Sequence, residues 1–415
     1  MRLAFYGDDF TGSTDAMESL SLAGLRTLLF LRPPPPGSLQ GVDVAGVAGN
    51  SRAMTPEQME ACLSQAFAGL DALGPRIVHY KVCSTFDSSP ARGSIGRAIE
   101  IGRRVFGEAP VPVLAGAPML GRYCAFGNLF ARSGLDSPVH RLDRHPTMSR
   151  HPVTPMHEAD LLRHLKEQTS LPAALVDLLD LEADDVEARY DAKAEGQGIV
   201  LLDVVRAAHL PVLGRLLDRG PRFVVGSSCV GYALASHWGT AARGYPFPEP
   251  VDQLLVVSGS CSPVSNRQME HAIRSGFREV PLLPTERELS GVLRKTREAL
   301  EGGESVIVHT CRGPEDARLD RALDGREIGD MLAALLSAVL EWRRPPRVVV
   351  VGGDTSAYVG SQLGIDSLEM IARIEPGGPL CRASGSGPVD GLEIVFKGGQ
   401  VGSIDYLERV KGKRA

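Results

Sequence analysis

The chain has 415 residues, 43% of them hydrophobic and 23% charged, with a formal net charge of −5. That composition is ordinary for a globular protein of two or three domains and gives no basic balance that would call for nucleic acid or an anionic membrane. No apolar run approaches the roughly 18 residues of a membrane-crossing helix. Seven cysteines are scattered singly without a Cys-x-x-Cys pair, which points to reduced thiols and not to a disulfide framework or a zinc site. Met1-Arg2 runs directly into an apolar stretch, so no signal peptide is expected and the cytoplasm is the expected location.

Residues 3–6 read as a first strand that stops at Gly7, after which Asp8, Asp9, Thr11, Ser13, Thr14 and Asp15 crowd into eight positions. Apolar spacing at Ala16, Met17, Leu20, Ala23 and Leu25 predicts a helix ending near Gly24, with Ser13 or Thr14 as its cap. Two adjacent carboxylates among hydroxyls exceed the needs of a cap. In open α/β sheets, the carboxyl ends of the strands are where ligands bind. Residues 26–31 form a second strand, the four prolines 33–36 a stiff surface loop, and residues 42–48 a third strand closed by Gly49-Asn50-Ser51-Arg52. Thr55-Pro56-Glu57 opens a helix. A strand over 76–80 leads into Lys81-Val82-Cys83-Ser84-Thr85-Phe86-Asp87, followed by a helix over about 95–105 and a strand over 111–115. Such alternation predicts parallel strands joined by crossover helices.

From 118 to 155 the pattern breaks into glycine, arginine, histidine and proline, including Gly121-Arg122-Tyr123, His145-Pro146 and His151-Pro152. A loop this long inside a compact domain is usually functional or disordered, and its aromatics and His-Pro pairs favour function. Thr154-Pro155 is expected to cap a helix reaching 165. Strands follow at 199–203 and 222–226, the second running into Ser227-Ser228-Cys229 and a helix over 232–238. The Gly- and Pro-rich residues 241–252 read as a linker between domains at 1–240 and 253–415. Beyond it lie a strand at 254–257, the turn Ser258-Gly259-Ser260-Cys261-Ser262-Pro263 with a helix to Gly276, and a strand at 306–309. An amphipathic helix through Ile328, Leu332, Leu336 and Leu340 comes next, and the strand 347–351 delivers Gly352-Gly353-Asp354-Thr355 into another helix. A final strand at 392–396 ends at Lys397-Gly398-Gly399. The fold class is α/β: two domains with mainly parallel sheets.

Three turns of the C-terminal half share one design, a buried strand followed by small residues. Glycine lets the backbone approach a ligand closely, and a helix N-terminus presents free N–H groups, so the turns at 257–260, 352–355 and 397–399 would together cradle a polyphosphate, with Ser258 or Thr355 adding a hydroxyl and Asp354 able to hold Mg²⁺ directly or through water. Neither a Gly-x-x-x-x-Gly-Lys-[Ser/Thr] loop nor a helix-opening Gly-x-Gly-x-x-Gly occurs, which disfavours a dinucleotide dehydrogenase. In the N-terminal half, Asp8, Asp9, Arg52, Lys81, Ser84, Thr85 and Asp87 follow strands. Cations beside carboxylates and hydroxyls suit a ligand bearing both an acid and hydroxyls. Arg52 and Lys81 read equally as solvated loop charges, Asp87 as a helix cap, and His145 and His151 as structural histidines.

Taken together, Asp8-Asp9-Phe10-Thr11-Gly12, Asn50-Ser51-Arg52, the 81–87 stretch, His151-Pro152-Val153-Thr154-Pro155-Met156, the 258–263 turn, Gly352-Gly353-Asp354-Thr355 and Lys397-Gly398-Gly399 resemble the four-carbon acid sugar kinase family. The resemblance runs in family order from residue 6 to residue 402. It implies an N-terminal sugar-acid domain, a C-terminal nucleotide domain, and reaction in a cleft between them. It places Ser258, Gly352, Gly353, Asp354, Thr355 and Gly398 on ATP, and Asp8, Asp9, Arg52, Lys81 and Ser84 on the acid. Arg150 stands where the family pattern has Asp, and Cys229 where it has Gly; the first departure bears on substrate identity. The expected activity is transfer of the ATP γ-phosphoryl group to a terminal hydroxyl of threonate, erythronate or an oxo-tetronate, with Asp8 or Asp9 as the catalytic carboxylate and Thr85 and His151 beside the substrate. Two rivals are an Asp9-nucleophile phosphatase, although its usual Asp-x-Asp spacing is missing, and a non-catalytic sugar-acid sensor. The partners expected are the acid and ATP, and a homodimer is the open expectation for assembly.

Overall fold

The computed structural model describes residues 1–133, 137–151, 154–283, 289–313, 315–316 and 325–413. The chain forms two compact units, one of residues 1–27 and 32–243, the other of residues 28–31 and 244–415. Among the described residues, no helix is long and apolar enough to cross a membrane, and all seven cysteines are free thiols.

The first unit is built on seven parallel strands, in the order Val44–Ala48, Leu3–Gly7, Ile77–Lys81, Phe223–Gly226, Val111–Leu114, Ile199–Leu202 and Ala173–Val176. Most of these strands are buried along their whole length, which is why they read as unbroken apolar runs. From Leu3–Gly7 the chain proceeds towards Val44–Ala48 on one side; from Ile77–Lys81 it proceeds towards Val111–Leu114 on the other. The strand order therefore reverses between these two neighbours, and the crevice at such a reversal is the binding position of an open α/β sheet.

Helix Pro56–Asp71 shows how the sequence closes the core. Thr55 caps it through a reciprocal bond with Gln58, and Met59, Leu63, Phe67 and Leu70 recur at helical spacing on the buried face. The Phe67 ring meets Tyr6, Tyr80, Phe106 and Phe223 at centroid distances of 5.4–6.3 Å. Each such fully buried side chain contributes about 1.5–3 kcal/mol.

Several expectations are corrected. The first helix spans Phe10–Leu22 and is capped by Asp9, whose Oδ1 accepts from Gly12 N at 2.8 Å. Ser13 and Thr14 instead turn their hydroxyls back onto the Asp9 and Thr11 carbonyls inside the helix. The helix expected from Thr154 begins at Leu161 behind the Asp160 cap. The irregular 118–155 stretch contains a three-stranded antiparallel sheet, Arg122–Ala125, Asn128–Arg132 and Val139–Arg141. Its strands, three to five residues long, are too short to announce themselves. The buried Asp203 fixes its first turn, accepting from Phe126 N (2.5 Å) and Gly127 N (3.0 Å) where Phe126 adopts φ +49°.

In the second unit, parallel strands run in the order Arg278–Pro281, Val306–His309, Leu255–Ser258, Arg347–Val351 and Glu393–Lys397. The sheet continues antiparallel through Gly378–Gly385 and Ile365–Glu375, and then through Leu29 and Phe30 in register with Leu368 and Ser367. Here too the order reverses, between Leu255–Ser258 and Arg347–Val351. Asp203→Ala is expected to cost about 3 kcal/mol, because two backbone donors lose a charged acceptor. A lowered urea midpoint with an unchanged slope checks it.

Candidate functional site

At the reversal point of the first unit, a buried carboxylate meets a guanidinium. Asp8 follows the strand Leu3–Gly7, and its side chain is 5% exposed. Arg52, on the single helical turn Ser51–Ala53, approaches it edge-on: Nε donates to Oδ2 at 3.0 Å and Nη2 to Oδ1 at 2.8 Å. The same Nη2 lies 3.1 Å from Asp9 Oδ1, and Nη1 lies 4.0 Å from Asp87 Oδ2. Burial pushes the Asp8 carboxyl up while Arg52 pulls it down. The three aspartates around Arg52 hold its guanidinium well above its ordinary range, so it stays charged.

Lys81 ends the neighbouring strand, is almost wholly buried, and lies 3.8 Å from Asp15 Oδ2. Gly12 makes this crowding feasible, since a Cβ there would stand 2.3 Å from Asp9 Oδ1 and 2.6 Å from Lys81 Nζ. Thr85 is buried and donates to Asp87 Oδ1 at 2.6 Å, so Asp87 belongs to this cluster and Ser94 caps the following helix instead. Ser84 is half-buried and makes no hydrogen bond among the described residues. His151 Nδ1 accepts from Thr154 N (3.0 Å) and from the Thr154 hydroxyl (3.1 Å). That histidine makes no hydrogen bond or ion pair to the aspartates among the described residues, and Pro152 and Val153 of its motif lie outside them.

In the second unit the three small-residue turns touch one another. Strands Leu255–Ser258, Arg347–Val351 and Glu393–Lys397 are adjacent, so their carboxyl ends line up. Gly352 takes φ +119°, and a Cβ on it would sit 2.9 Å from Thr355 Oγ1; a Cβ on Gly259 would sit 2.3 Å from the same oxygen. Gly352 N donates to Lys397 O at 2.9 Å, and Ser265 Oγ ties Ser260 Oγ (3.1 Å) to the Gly399 carbonyl (2.8 Å). Two helices begin here, Gly353–Gln362 and Pro263–Arg274; the first has no side-chain cap on its N–H groups, whereas the second opens on a proline and has Val264 N bonded to Ser262 Oγ. Ser258 and Thr355 are buried, whereas Asp354 is exposed in the first turn of its helix.

Sequence reading overlooked several groups at these edges. Among the described residues, the Ser356 and Thr310 hydroxyls of the second unit and the Ser228 hydroxyl of the first are buried without a hydrogen-bond partner. Lys397, quoted only as part of a motif, is fully buried, donates to Gly398 O at 3.1 Å and stands 5.5 Å over the Tyr406 ring. Only its place before two glycines at a strand end could have flagged it.

A unit with carboxylates, cations and hydroxyls at one reversal point, joined to a unit with phosphate-type turns at another, is the build of a small-molecule kinase. The family described as the sugar-binding N-terminal domain matches residues 3–234, and that described as the nucleotide-binding C-terminal domain matches 255–407. A 3-oxo-isoapionate kinase of Paraburkholderia graminis is 45% identical, across 99% of this chain and 94% of its own. A 3-oxo-tetronate kinase of Methylobacterium radiotolerans is 34% identical, across 99% and 98%. Among solved structures, a Salmonella typhimurium LT2 protein shares the fold with a TM-score of 0.81 at 24% identity over 98% of both chains. A Haemophilus influenzae protein does so with 0.78 at 25% over 99% of both. The chain belongs to the four-carbon acid sugar kinase family.

Burial pushes the Lys397 ammonium down to about 7. Between that value and the unfolded lysine value the unfolded chain binds the extra proton, so stability rises with pH across the window, and the cost of burying the charge is full below it. Lys397→Met is expected to raise Tm most at or below about pH 7, with the gap to wild type narrowing towards about pH 10. Thermal scans across pH check this, and a constant gap would contradict it.

Proposed function

We propose that the chain is an ATP-dependent kinase that phosphorylates a hydroxyl of a 3-oxo sugar acid, with 3-oxo-isoapionate the first candidate and 3-oxo-tetronates the next. The convergence of the three turns of the second unit carries the kinase reading, because a sensor or phosphatase has no need of a polyphosphate cradle. The order of substrates follows the 45% and 34% identities to the relatives of those names.

In this reading residues 1–240 bind the acid and 253–415 the nucleotide. Gly352 lets the backbone approach the phosphates closely, and Ser258, Gly353, Thr355 and Gly398 surround them with N–H and hydroxyl donors. Asp354, a single exposed carboxylate beside those donors, fits Mg²⁺, which binds through one or two carboxylates together with substrate phosphates. When bound with the nucleotide the ion supplies charge neutralisation.

Asp9 is the better candidate for the base that orients or deprotonates the attacking hydroxyl. Both Asp8 oxygens are committed to Arg52, whereas Asp9 uses Oδ1 for its contacts and keeps Oδ2 without a partner among the described residues, on a side chain 29% exposed. Arg52 then fixes the aspartates, and Lys81, Ser84, Thr85 and His151 complete the acid site.

Two outcomes are expected. ADP release with Mg-ATP should depend on a freshly prepared 3-oxo sugar acid, tested against threonates and erythronates; release without any acid would argue against a kinase. Asp9→Asn preserves a capping side chain and should lower kcat by about 10²–10⁴ with Tm nearly unchanged, whereas unchanged kcat would remove Asp9 as the base.

A further inference from the structure

We propose that Arg122 holds the carboxylate of the sugar acid, an assignment that rests on the function proposed above. Its position follows from the fold. Strand Val111–Leu114 stands beside Phe223–Gly226, which stands beside Ile77–Lys81, and all three end on the same edge. Just past Leu114 the chain turns, and Ala117 and Arg122 exchange backbone hydrogen bonds of 2.9 and 3.1 Å. Arg122 thereby opens the small antiparallel sheet at the edge that carries Asp8, Arg52 and Lys81.

The guanidinium is half-buried and has donors to spare. Nη1 donates to the Leu120 carbonyl at 2.9 Å and lies 3.4 Å from that of Gly121. Nε is buried with no acceptor, and Nη2 makes no hydrogen bond among the described residues. No carboxylate among them lies within ion-pair distance of Arg122. A guanidinium does not give up its proton, so a permanent cation sits partly out of water without a counter-ion, an arrangement that costs stability until an anion arrives.

Two other cations of this edge already have carboxylate neighbours. Arg52 spends its Nε–Nη2 edge on Asp8, and Lys81 faces Asp15. Cys83, which follows Lys81 by two residues and lies within electrostatic reach of Asp87, Arg52 and Lys81, is also within electrostatic reach of Arg122. Since the residue belongs to the first unit and the phosphate-type turns to the second, the anion it suits is the substrate carboxylate and not the nucleotide.

The test uses the full chain, with calorimetric binding of the 3-oxo acid and of its neutral amide, and with the ADP-release assay run in parallel. Arg122→Gln should weaken acid binding about 10- to 100-fold, the worth of a charge-assisted hydrogen bond, and leave ATP affinity within about twofold. Wild type should prefer acid to amide, Arg122→Gln should not, and Arg122→Lys should restore part of the preference. Should Arg122→Gln fold poorly, Arg122→Lys and the acid-to-amide ratio of wild type read the same interaction. Unchanged acid affinity in both variants, or a loss confined to ATP, overturns the assignment. Acid binding that depends on Arg122 without any turnover would sink the kinase reading and leave the carboxylate site standing.

Discussion

A parallel strand can return only by crossing over, so every strand of a parallel sheet delivers its chain to the same edge. Each unit of this protein inherits that constraint. In the first, the ends of Leu3–Gly7 and Ile77–Lys81 place Asp8, Asp9 and Lys81 side by side where the strand order reverses. In the second, the ends of Leu255–Ser258, Arg347–Val351 and Glu393–Lys397 stack three small-residue turns into contact. Residues up to about 140 positions apart in sequence become neighbours without any long-range design beyond strand pairing.

What the edge brings together, electrostatics must then hold. Burial raises the Asp8 carboxyl, and the bidentate pair with Arg52 works against that rise. Removing either partner would strand the other. The pairing also sets a limit: an arginine that stabilises its own carboxylates has little left for a further anion. The second unit has the reverse economy. Its turns carry few charges and rely on N–H groups, hydroxyls and a single exposed aspartate, as suits a ligand that brings its own negative charge.

Much of this was legible in the sequence. Buried strands such as Arg347–Val351 are unbroken apolar runs, and a small-residue turn after each one marks a site because glycine there serves close approach, not a core. Other features were silent for physical reasons. Asp9 and Ser13 are both good caps, and only the backbone geometry at Asp9 decides between them. The strands of the small sheet are three to five residues long and mix arginine with apolar residues, so they carry no period to detect. The hairpin of Ile365–Glu375 and Gly378–Gly385 lacks a clean alternation because it is irregular at several points along its register. The pairing of Arg52 with Asp8 spans 44 residues and leaves no local trace. Lys397 looked like a motif letter and proves to be a buried amine.

The division of ligands between the units is the central claim, and calorimetry tests it most directly. ATP and a 3-oxo sugar acid would be titrated separately into wild type, Asp354→Ala and Arg122→Gln. The account predicts that Asp354→Ala loses ATP affinity by about tenfold or more and keeps the acid, while Arg122→Gln does the opposite. Equal loss of both ligands in either variant would contradict it.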